Sequence, residues 1–324
     1  MTNGALTSSR RAFLASAGGG LATTVFACAA PRTTSSRSVS AAAPASVAFP
    51  GAIKDGESAG ALGIDPVAQY PDVRSHRQKL GLLLPATNTT MEHELWTLLV
   101  KNRELGGIGI HSSVVVTPRP VLRTAEDLES YKKQFVGGLD AAVEHALLAQ
   151  PDALVMGMSL EHILHGIDAI RGASASVTTR SKIPLFTWQD AAPAALRTFG
   201  ARRIGLLTPF DRTGNENATR LFRDLGFDVV TTVGFACADA VQIAHVPDAA
   251  KERAIVELLA TPENKLDAIV QCGTNMGMID VAEKIEPKIG IPILGINSTL
   301  LWYALRQQGI RAPLAGGGRL LREA

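Results

Sequence analysis

The strongest candidate for chemistry in this 324-residue sequence is a cysteine at the end of a predicted strand. Cys272 ends the apolar stretch 268–272 and is followed by Gly273, Thr274 and Asn275. A thiol between a buried strand and a helix start experiences the partial positive charge of the helix, so we predict a lowered pKa and a role in proton transfer. Gly273 lets backbone N–H groups approach a ligand carboxylate, and Thr274 and Asn275 add donors. The alternative is a buried structural cysteine, the commonest fate of a free thiol.

A second candidate follows the predicted strand 80–85. Thr87 and Asn88 offer a hydroxyl, an amide and the N–H groups of a helix start, which together suit a bound anion. The alternative is an ordinary helix cap formed by Thr89 or Thr90, because capping and anion binding use the same donors.

The remaining candidates lie at or after the ends of two further predicted strands, 153–158 and 203–208. They are Gly157, Met158, Ser159, Phe210 and Asn215. Ser159 either donates to a ligand carboxylate or caps the next helix. Phe210 is at least as consistent with plain apolar lining as with a specific contact. These residues complete the predicted binding site.

Metal and nucleotide cofactors are not predicted. Glu161, His162 and His165 have a spacing that places both histidines on one helical face, but no third ligand or second cluster accompanies them. No G-x-G-x-x-G motif opens a strand–helix unit, which argues against a nicotinamide enzyme. The glycines 316–318 lack the Lys and Ser/Thr of a phosphate-binding loop.

Short apolar runs alternate with longer amphipathic stretches from residue 80 onward. Near-continuous apolar strands separated by helices indicate parallel sheets covered on both faces. We therefore predict an α/β fold with doubly wound, Rossmann-like layers. The predicted strands are 80–85, 108–116, 153–158, 183–187, 203–208, 228–234, 268–272 and 291–296, and the predicted helices are 125–149, 212–225, 249–259 and 299–308.

Three segments recur in the same order, which indicates that the layer is duplicated. Because ligands of parallel sheets bind beyond the carboxyl ends of the strands, we expect Gly157 and Cys272 to face one crevice from opposite sides. The recurring pairs are 81–85 with 205–209, 152–157 with 267–272, and 183–186 with 291–294.

The amino-terminal region is predicted to be an export signal. Arg10 and Arg11 precede a weakly apolar run, as in twin-arginine signals that carry folded proteins across a bacterial inner membrane. Cys28 ends a stretch that resembles a lipoprotein cleavage box, with simple cleavage nearby as the alternative. These features predict a periplasmic protein, either free or lipid-anchored at Cys28.

The domain boundaries and partners follow from composition. We predict a signal over 1–28, a flexible linker over 29–75, a first α/β domain over 76–188 that is completed by about 299–324, and a second over 189–298. The sequence has 32 Lys and Arg residues against 30 Asp and Glu, a formal net charge of +2. A charge this small does not indicate a nucleic-acid-binding protein. The mature chain has no run of ~18 or more apolar residues that could span a membrane. The expected partner is a small carboxylate or dicarboxylate.

The sequence resembles the aspartate/glutamate racemase superfamily, which includes amino-acid racemases, maleate cis–trans isomerases and arylmalonate decarboxylases. The resemblance covers nearly all of the chain from Leu80 onward. Residues 84–92 are similar to the opening of maleate isomerases, whereas 156–160 and the pair 272–273 look more like arylmalonate decarboxylase. Racemases and maleate isomerases normally carry a cysteine at both strand ends, but this chain has Gly157 at the first.

That glycine favours decarboxylation among the chemistries that the resemblance implies. A two-base racemase removes a proton from one face and returns one to the other. The resemblance to maleate isomerases implies a mechanism in which the first cysteine attacks the double bond, and Gly157 has no side chain that could do this. A decarboxylase needs one acid, because loss of CO₂ leaves an enediolate that a single cysteine protonates. The resemblance implies that Cys272 is this donor.

The resemblance also implies a dioxyanion pocket made of the Ser159 hydroxyl, Thr87 or Asn88, and the N–H groups of Gly273 and Thr274. Two departures from the decarboxylase pattern put the arylmalonate substrate in question: Met158 stands in place of a threonine, and Phe210 in place of a tyrosine.

Three hypotheses follow. The first is a cofactor-independent decarboxylase of a substituted malonate or similar diacid. The second is an isomerase or racemase of a small dicarboxylate that uses Cys272 with a non-cysteine partner. The third is an exported diacid-binding protein without catalysis. We also expect Gly157→Cys to restore a second acid–base group opposite Cys272 and to permit racemisation.

Overall fold

The computed structural model describes residues 72–116 and 125–324. The predicted export signal and most of the predicted linker lie outside the described residues, so these boundaries stay predictions. Among the described residues, no helix is both long enough and apolar enough to cross a membrane.

Two four-stranded sheets, each with all strands parallel, form the framework. The first has the order β2-β1-β3-β4 and the second the order β6-β5-β7-β8. The strands are β1 (Gln78–Pro85), β2 (Ile108–Val115), β3 (Ala153–Met156), β4 (Leu185–Phe186), β5 (Arg203–Thr208), β6 (Asp228–Gly234), β7 (Ala268–Gln271) and β8 (Ile293–Gly295).

Nine α-helices are interleaved with the strands of the described region, and three short 3₁₀ turns accompany them. The α-helices are α1 (Met91–Lys101), α2 (Ala125–Leu147), α3 (Ile167–Ser181), α4 (Trp188–Thr198), α5 (Arg212–Asp224), α6 (Asp248–Arg253), α7 (Ile279–Ile289), α8 (Ile296–Gln307) and α9 (Arg319–Glu323). A π-helical segment, Ala254–Leu259, continues α6. The 3₁₀ turns are Arg103–Leu105, Leu160–His162 and Gln242–His245.

The predicted α/β fold is confirmed, and each predicted strand has a counterpart in the structure. Helices α1, α3, α4, α7 and α9 were absent from the predicted set. Pro193 lies inside α4 and Pro287 inside α7, which hides their helical pattern, since proline normally ends a helix. Helix α3 is rich in Ser, Thr and Ala, so it lacks a strong apolar stripe.

The two sheets repeat the same strand order and register. Leu80 of β1 pairs with Ala153 of β3, and Ile204 of β5 pairs with Ala268 of β7, as the recurring segments predict. Helix α8 follows β8 but packs against α1 and α4, which follow strands of the first sheet. The duplication therefore places the ends of β3 and β7 in equivalent positions.

Candidate active site

The strand ends after β3 and β7 are in direct contact. The Gly273 backbone N–H donates to the Ser159 hydroxyl over 3.0 Å, and the Thr274 hydroxyl donates to the Gly157 carbonyl over 3.0 Å. Cys272 has no exposed surface. The structure thus brings the predicted residues of both halves to one place in a closed arrangement, and a substrate can reach the thiol only if the loops separate.

The Cys272 thiol does not have the lowered pKa that the sequence predicted. Burial raises its pKa well above the ordinary value, and the nearby carboxyl of Glu161 raises it further. The prediction was wrong because the next helix starts only at Ile279, so no helix N-terminus adjoins the sulfur. The thiol is therefore protonated at neutral pH, which suits a proton donor and not a nucleophile.

Glu161 and Trp188 interact with this thiol, and neither was assigned that role from the sequence. The indole N–H of Trp188 and one carboxyl oxygen of Glu161 are buried without a hydrogen-bond partner of ordinary geometry among the described residues. Each contributes an interaction with the Cys272 sulfur. Burial raises the pKa of Glu161 to about 7, whereas contacts with Ser159 and Cys272 lower it.

The signal for Trp188 was present in the sequence. It begins α4 directly after β4, so it lies at a strand end like the residues that were singled out. Its ring packs edge-on against Phe222, with centroids 6.0 Å apart. Glu161 follows Ser159 by two positions and was considered only as a metal ligand.

The Thr87–Asn88 loop uses its polar groups within the protein. The Asn88 carboxamide oxygen accepts from the N–H groups of Thr90 and Met91 and so caps α1, whereas the alternative considered from the sequence was a cap by Thr89 or Thr90. Its amide donates to the Thr274 hydroxyl over 2.9 Å. Binding a carboxylate at this loop would therefore require these bonds to open.

Asn275, three residues after the buried Cys272, connects three loops by hydrogen bonds. Its amide donates to the carbonyls of Thr87 and Ala240, and its oxygen accepts from the Thr89 N–H, at 2.9 to 3.0 Å. The Thr90 hydroxyl also donates to the Asn275 carbonyl. We call this set of contacts the Asn275 latch. It holds the first half of the molecule to the loop after β7.

Glu94 fixes the far end of that loop. It is 4% exposed and accepts hydrogen bonds from the N–H groups of Met278 and Ile279 and from the Asn297 amide. Burial raises the pKa of Glu94. Because its contacts are with backbone groups at the start of α7, Glu94 positions the loop.

Phe210 and Asn215 lie after β5, at the border of the site. Phe210 is buried and stacks on His162, with ring centroids 4.9 Å apart. Asn215 hydrogen-bonds to the Thr208 hydroxyl. Both line an open cleft of about 640 Å³ along α5, and the lining of this cleft does not include Cys272.

Gly157 is packed too tightly for a side chain. A Cβ atom there would lie 2.7 Å from the Leu83 carbonyl oxygen and 2.9 Å from the Met91 sulfur. Gly157→Cys would therefore place a thiol here only if the surrounding backbone shifts, and the racemisation expected of this variant stays a prediction. Met158, the next residue, is buried in the apolar core.

Glu161, His162 and His165, which were considered as metal ligands, each interact with a different partner. Glu161 interacts with Cys272, His162 stacks on Phe210, and His165 hydrogen-bonds to Asn217 over 2.9 Å. The cysteines of the described region, Cys237 and Cys272, are both free thiols.

A comparison with known protein families shows the family to which this chain belongs. The family model described as arylmalonate decarboxylase matches residues 139–321, more than half of the chain and including both strand ends of the site. This chain belongs to the arylmalonate decarboxylase family. The resemblance to the aspartate/glutamate racemase superfamily is thereby confirmed.

Sequence relatives of this family member carry the isomerase name. A maleate isomerase from Nocardia farcinica is 26% identical over 252 residues, covering 76% of this chain and 96% of the relative. A maleate isomerase from Pseudomonas putida is 23% identical over 262 residues, covering 76% and 98%. By name, these relatives support our isomerase hypothesis better than our decarboxylase hypothesis.

Solved structures confirm the fold. A cysteine-to-serine variant of the Nocardia farcinica maleate cis–trans isomerase, with a covalently bound succinylcysteine intermediate, has a TM-score of 0.64 and 22% identity and covers 76% of this chain and 99% of its own. Unliganded arylmalonate decarboxylase has a TM-score of 0.61 and 17% identity, with coverage of 76% and 100%.

Proposed function

We propose that this chain is a cofactor-independent decarboxylase of a substituted malonate or similar small diacid, in which Cys272 protonates the enediolate that remains after CO₂ leaves. The observation that carries the proposal is a single, fully buried thiol opposite a glycine that has no space for a second. Decarboxylation needs one proton donor, whereas two-base chemistry needs an acid–base group on each face.

The protonation state of the thiol supports this reaction. Burial and Glu161 hold the pKa of Cys272 well above its ordinary value, so the group is loaded with a proton at neutral pH. Covalent addition to a double bond would require the thiolate, which is the nucleophilic form. The environment therefore favours proton donation over nucleophilic attack.

Neutral hydrogen-bond donors are available for the enediolate. In the closed form the Ser159 hydroxyl and the Gly273 N–H bond to each other, and the Thr274 hydroxyl bonds to the Gly157 carbonyl. Opening the loops would free these donors for the two oxygens of the intermediate. Oriented donors of this kind are worth ~2.7–4 kcal/mol each in transition-state stabilisation.

A second candidate is isomerisation of a small dicarboxylate, and two observations favour it. The sequence relatives are named maleate isomerases. Glu161 supplies a titratable group from the opposite half that acts on Cys272, which is the non-cysteine partner such a reaction would need. Isomerisation would require Glu161 to reach the face of the substrate opposite the thiol.

The test is a panel of substituted malonates, maleate, aspartate and glutamate incubated with the purified protein in deuterated water. Proton NMR follows the products, and a carbonate assay follows CO₂. The proposal predicts CO₂ release and one deuterium at the α-carbon of the product. Fumarate from maleate without CO₂ would establish the isomerase, and binding without turnover of any panel member would establish a diacid-binding protein.

A further inference from the structure

Glu161 is a buried carboxyl that the proposed reaction does not use. It is 2% exposed, and one of its oxygens has no hydrogen-bond partner of ordinary geometry in the described part of the chain. Its side-chain contacts are with Ser159 and Cys272, both members of the site. Apart from a bond to its own backbone N–H, the carboxyl interacts with these two site residues. A buried carboxyl in such a place needs an explanation beyond packing.

Two other buried carboxyls show what a structural role looks like. Glu94 accepts from the N–H groups that begin α7. Glu286 accepts from the backbone N–H groups of Ile293 and Arg319 and so fixes β8 and α9. Both carboxyls hold the backbone of other elements in place, whereas the backbone bond of Glu161 is to its own N–H and its other interactions are with Ser159 and the Cys272 thiol. The difference points to chemistry at Glu161.

After Cys272 has donated its proton, the thiolate that remains must be reprotonated before the next turnover. Each turnover leaves a thiolate in a site that has no exposed surface in the closed form, so bulk water cannot return the proton while the loops stay closed. The buried indole N–H of Trp188 stabilises this thiolate, which is why it lowers the pKa of Cys272. Stabilisation is not reprotonation, and a proton source in contact with the sulfur is still required.

We propose that Glu161 is a proton relay that reloads Cys272 after each turnover. The inference rests on the proposed function. In the first step the S–H bond of Cys272 breaks as the C–H bond of the product forms. In the second, the O–H bond of Glu161 breaks and the S–H bond re-forms. The Glu161 carboxylate then takes a proton from water when the loops open, which supplies the one proton that decarboxylation consumes.

The environment of the pair supports the direction of transfer. Burial raises the pKa of Glu161 to about 7, so the carboxyl carries a proton in a large fraction of molecules near neutral pH. The next titratable group along the chain, His162, stacks on Phe210 and interacts with Asp211. Glu161 is the titratable group that acts on the Cys272 thiol. Relay should therefore slow as pH rises through about 7 and Glu161 loses its proton.

The first experiment separates the first turnover from later ones. The full chain with Cys28→Ser and Cys237→Ala keeps Cys272 as its one thiol, since the sequence has three cysteines. In this background Glu161→Gln should release one equivalent of product at close to the parental rate, because the thiol is already loaded. Steady-state turnover should then fall about tenfold or more, because reloading is slow.

Glu161→Asp and Glu286→Gln are the matched controls. Glu161→Asp retains a carboxyl and should recover part of the steady-state rate. Glu286→Gln removes a buried carboxyl whose pKa is also about 7 but which contacts β8 and α9, so it should leave the ratio of the two phases unchanged. If Glu161→Gln slows both phases in the same proportion, or slows neither, the relay is overturned.

The second experiment needs no substrate. Thiolate absorbance in the ultraviolet reports the ionisation of Cys272 in the single-thiol background. Glu161→Gln should shift this ionisation to lower pH, because it removes a negative charge beside the sulfur. An unchanged titration would overturn the coupling of the two groups.

The two proposals fail in different ways. The panel members phenylmalonate and maleate serve as turnover probes. If Cys272→Ala retains turnover, or if no panel member is converted, the proposed function fails, and the thiol titration still measures the coupling between Glu161 and Cys272. If Cys272→Ala is inactive and Glu161→Gln turns over normally, the relay alone fails.

Discussion

The ends of β3 and β7 occupy equivalent places in the two halves but carry different chemistry. The Gly157 N–H donates to the Leu83 carbonyl over 2.7 Å, and the Cys272 N–H donates to the Leu207 carbonyl over 3.0 Å. One position has a thiol, and the other has no room for a Cβ atom. The backbone geometry is therefore the same at the two strand ends, while their side chains differ.

The half without the thiol still contributes to the site. Ser159 and Glu161 follow Gly157 within four residues, and both contact the groups at the end of β7. The second end thus holds the thiol, and the first end holds a carboxyl that acts on the thiol and a hydroxyl that accepts from the Gly273 N–H. The comparison predicts unequal effects of substitutions at the two ends.

The largest effect is expected at the thiol. Cys272→Ala should lower turnover by about a thousandfold, within the range typical of a lost general acid, while thermal unfolding stays nearly unchanged. Cys237→Ala is the matched control, because Cys237 is only half-buried and its described contact is a backbone N–H to the Pro209 carbonyl. A loss of turnover in Cys237→Ala with stability intact would assign the chemistry to the other cysteine.

The next effect is a pH-dependent stability difference at Glu161. Its pKa of about 7 in the folded chain lies above the ordinary value of 4.5, so its contribution to stability is fully present below about pH 4.5 and is lost as pH rises through 7. Glu161→Gln cannot ionise. The variant should therefore gain on the parent by up to about 3 kcal/mol between pH 5 and pH 8, at about 1.4 kcal/mol per pKa unit.

Denaturant unfolding at both pH values measures this difference. Glu286→Gln should show a gain in the same direction, because burial also raises the pKa of Glu286 to about 7. A stability difference between Glu161→Gln and the parent that is constant with pH would mean that Glu161 is ionised in the folded chain throughout this range.

A smaller loss of stability is expected at Gly157. Gly157→Ala places a Cβ against the Leu83 carbonyl oxygen and should destabilise the fold by about 1–3 kcal/mol. Gly137→Ala is the matched control, because Gly137 lies within α2 with nothing within 4 Å of its added Cβ and should be stabilised by about 0.5–1 kcal/mol. Equal stabilities of the two variants in chemical denaturation would show that β1 and β3 can separate at this point.

The smallest effect is expected at the latch. Asn275→Ala removes its side-chain bonds to Thr87, Thr89 and Ala240 and should cost about 1–2 kcal/mol, at about 0.5–1.5 kcal/mol per hydrogen bond. It should also increase the alkylation rate of Cys272 severalfold. Asn264→Ala also loses two bonds to backbone carbonyls, those of Leu258 and Leu259, but should leave alkylation unchanged. Equal alkylation of both variants would place the opening motion elsewhere.

Much of this architecture was predictable from the sequence, because apolar strands and their recurrence are local patterns. The recurring segments located the ends of β3 and β7 correctly. The rule that ligands bind beyond the carboxyl ends of parallel strands predicted that Ser159, Gly273 and Thr274 lie close together, as they do. The environment of the thiol was not predictable in the same way. Its pKa depends on burial and on Glu161, which lies 111 positions away, as the sequence numbering gives.

Packing at Gly157 was equally hidden from the sequence. Whether a glycine marks a lost side chain or a close approach depends on the neighbouring strand, here the carbonyl of Leu83. The cap of α1 was missed for a local reason, because Asn88 reaches forward to Thr90 and Met91 in competition with the threonines beside it.

In the proposed reaction the proton reaches the substrate from the β7 end alone, and the stereochemistry of deuteration reports this directly. A prochiral substituted malonate is converted in deuterated water, and the product is analysed by chiral chromatography and proton NMR. We expect one enantiomer with one deuterium at the α-carbon, and this deuterium should persist when the product is returned to the enzyme in ordinary water. A racemic product, or loss of that deuterium, would show a second acid–base group on the opposite face and would overturn protonation by Cys272 alone.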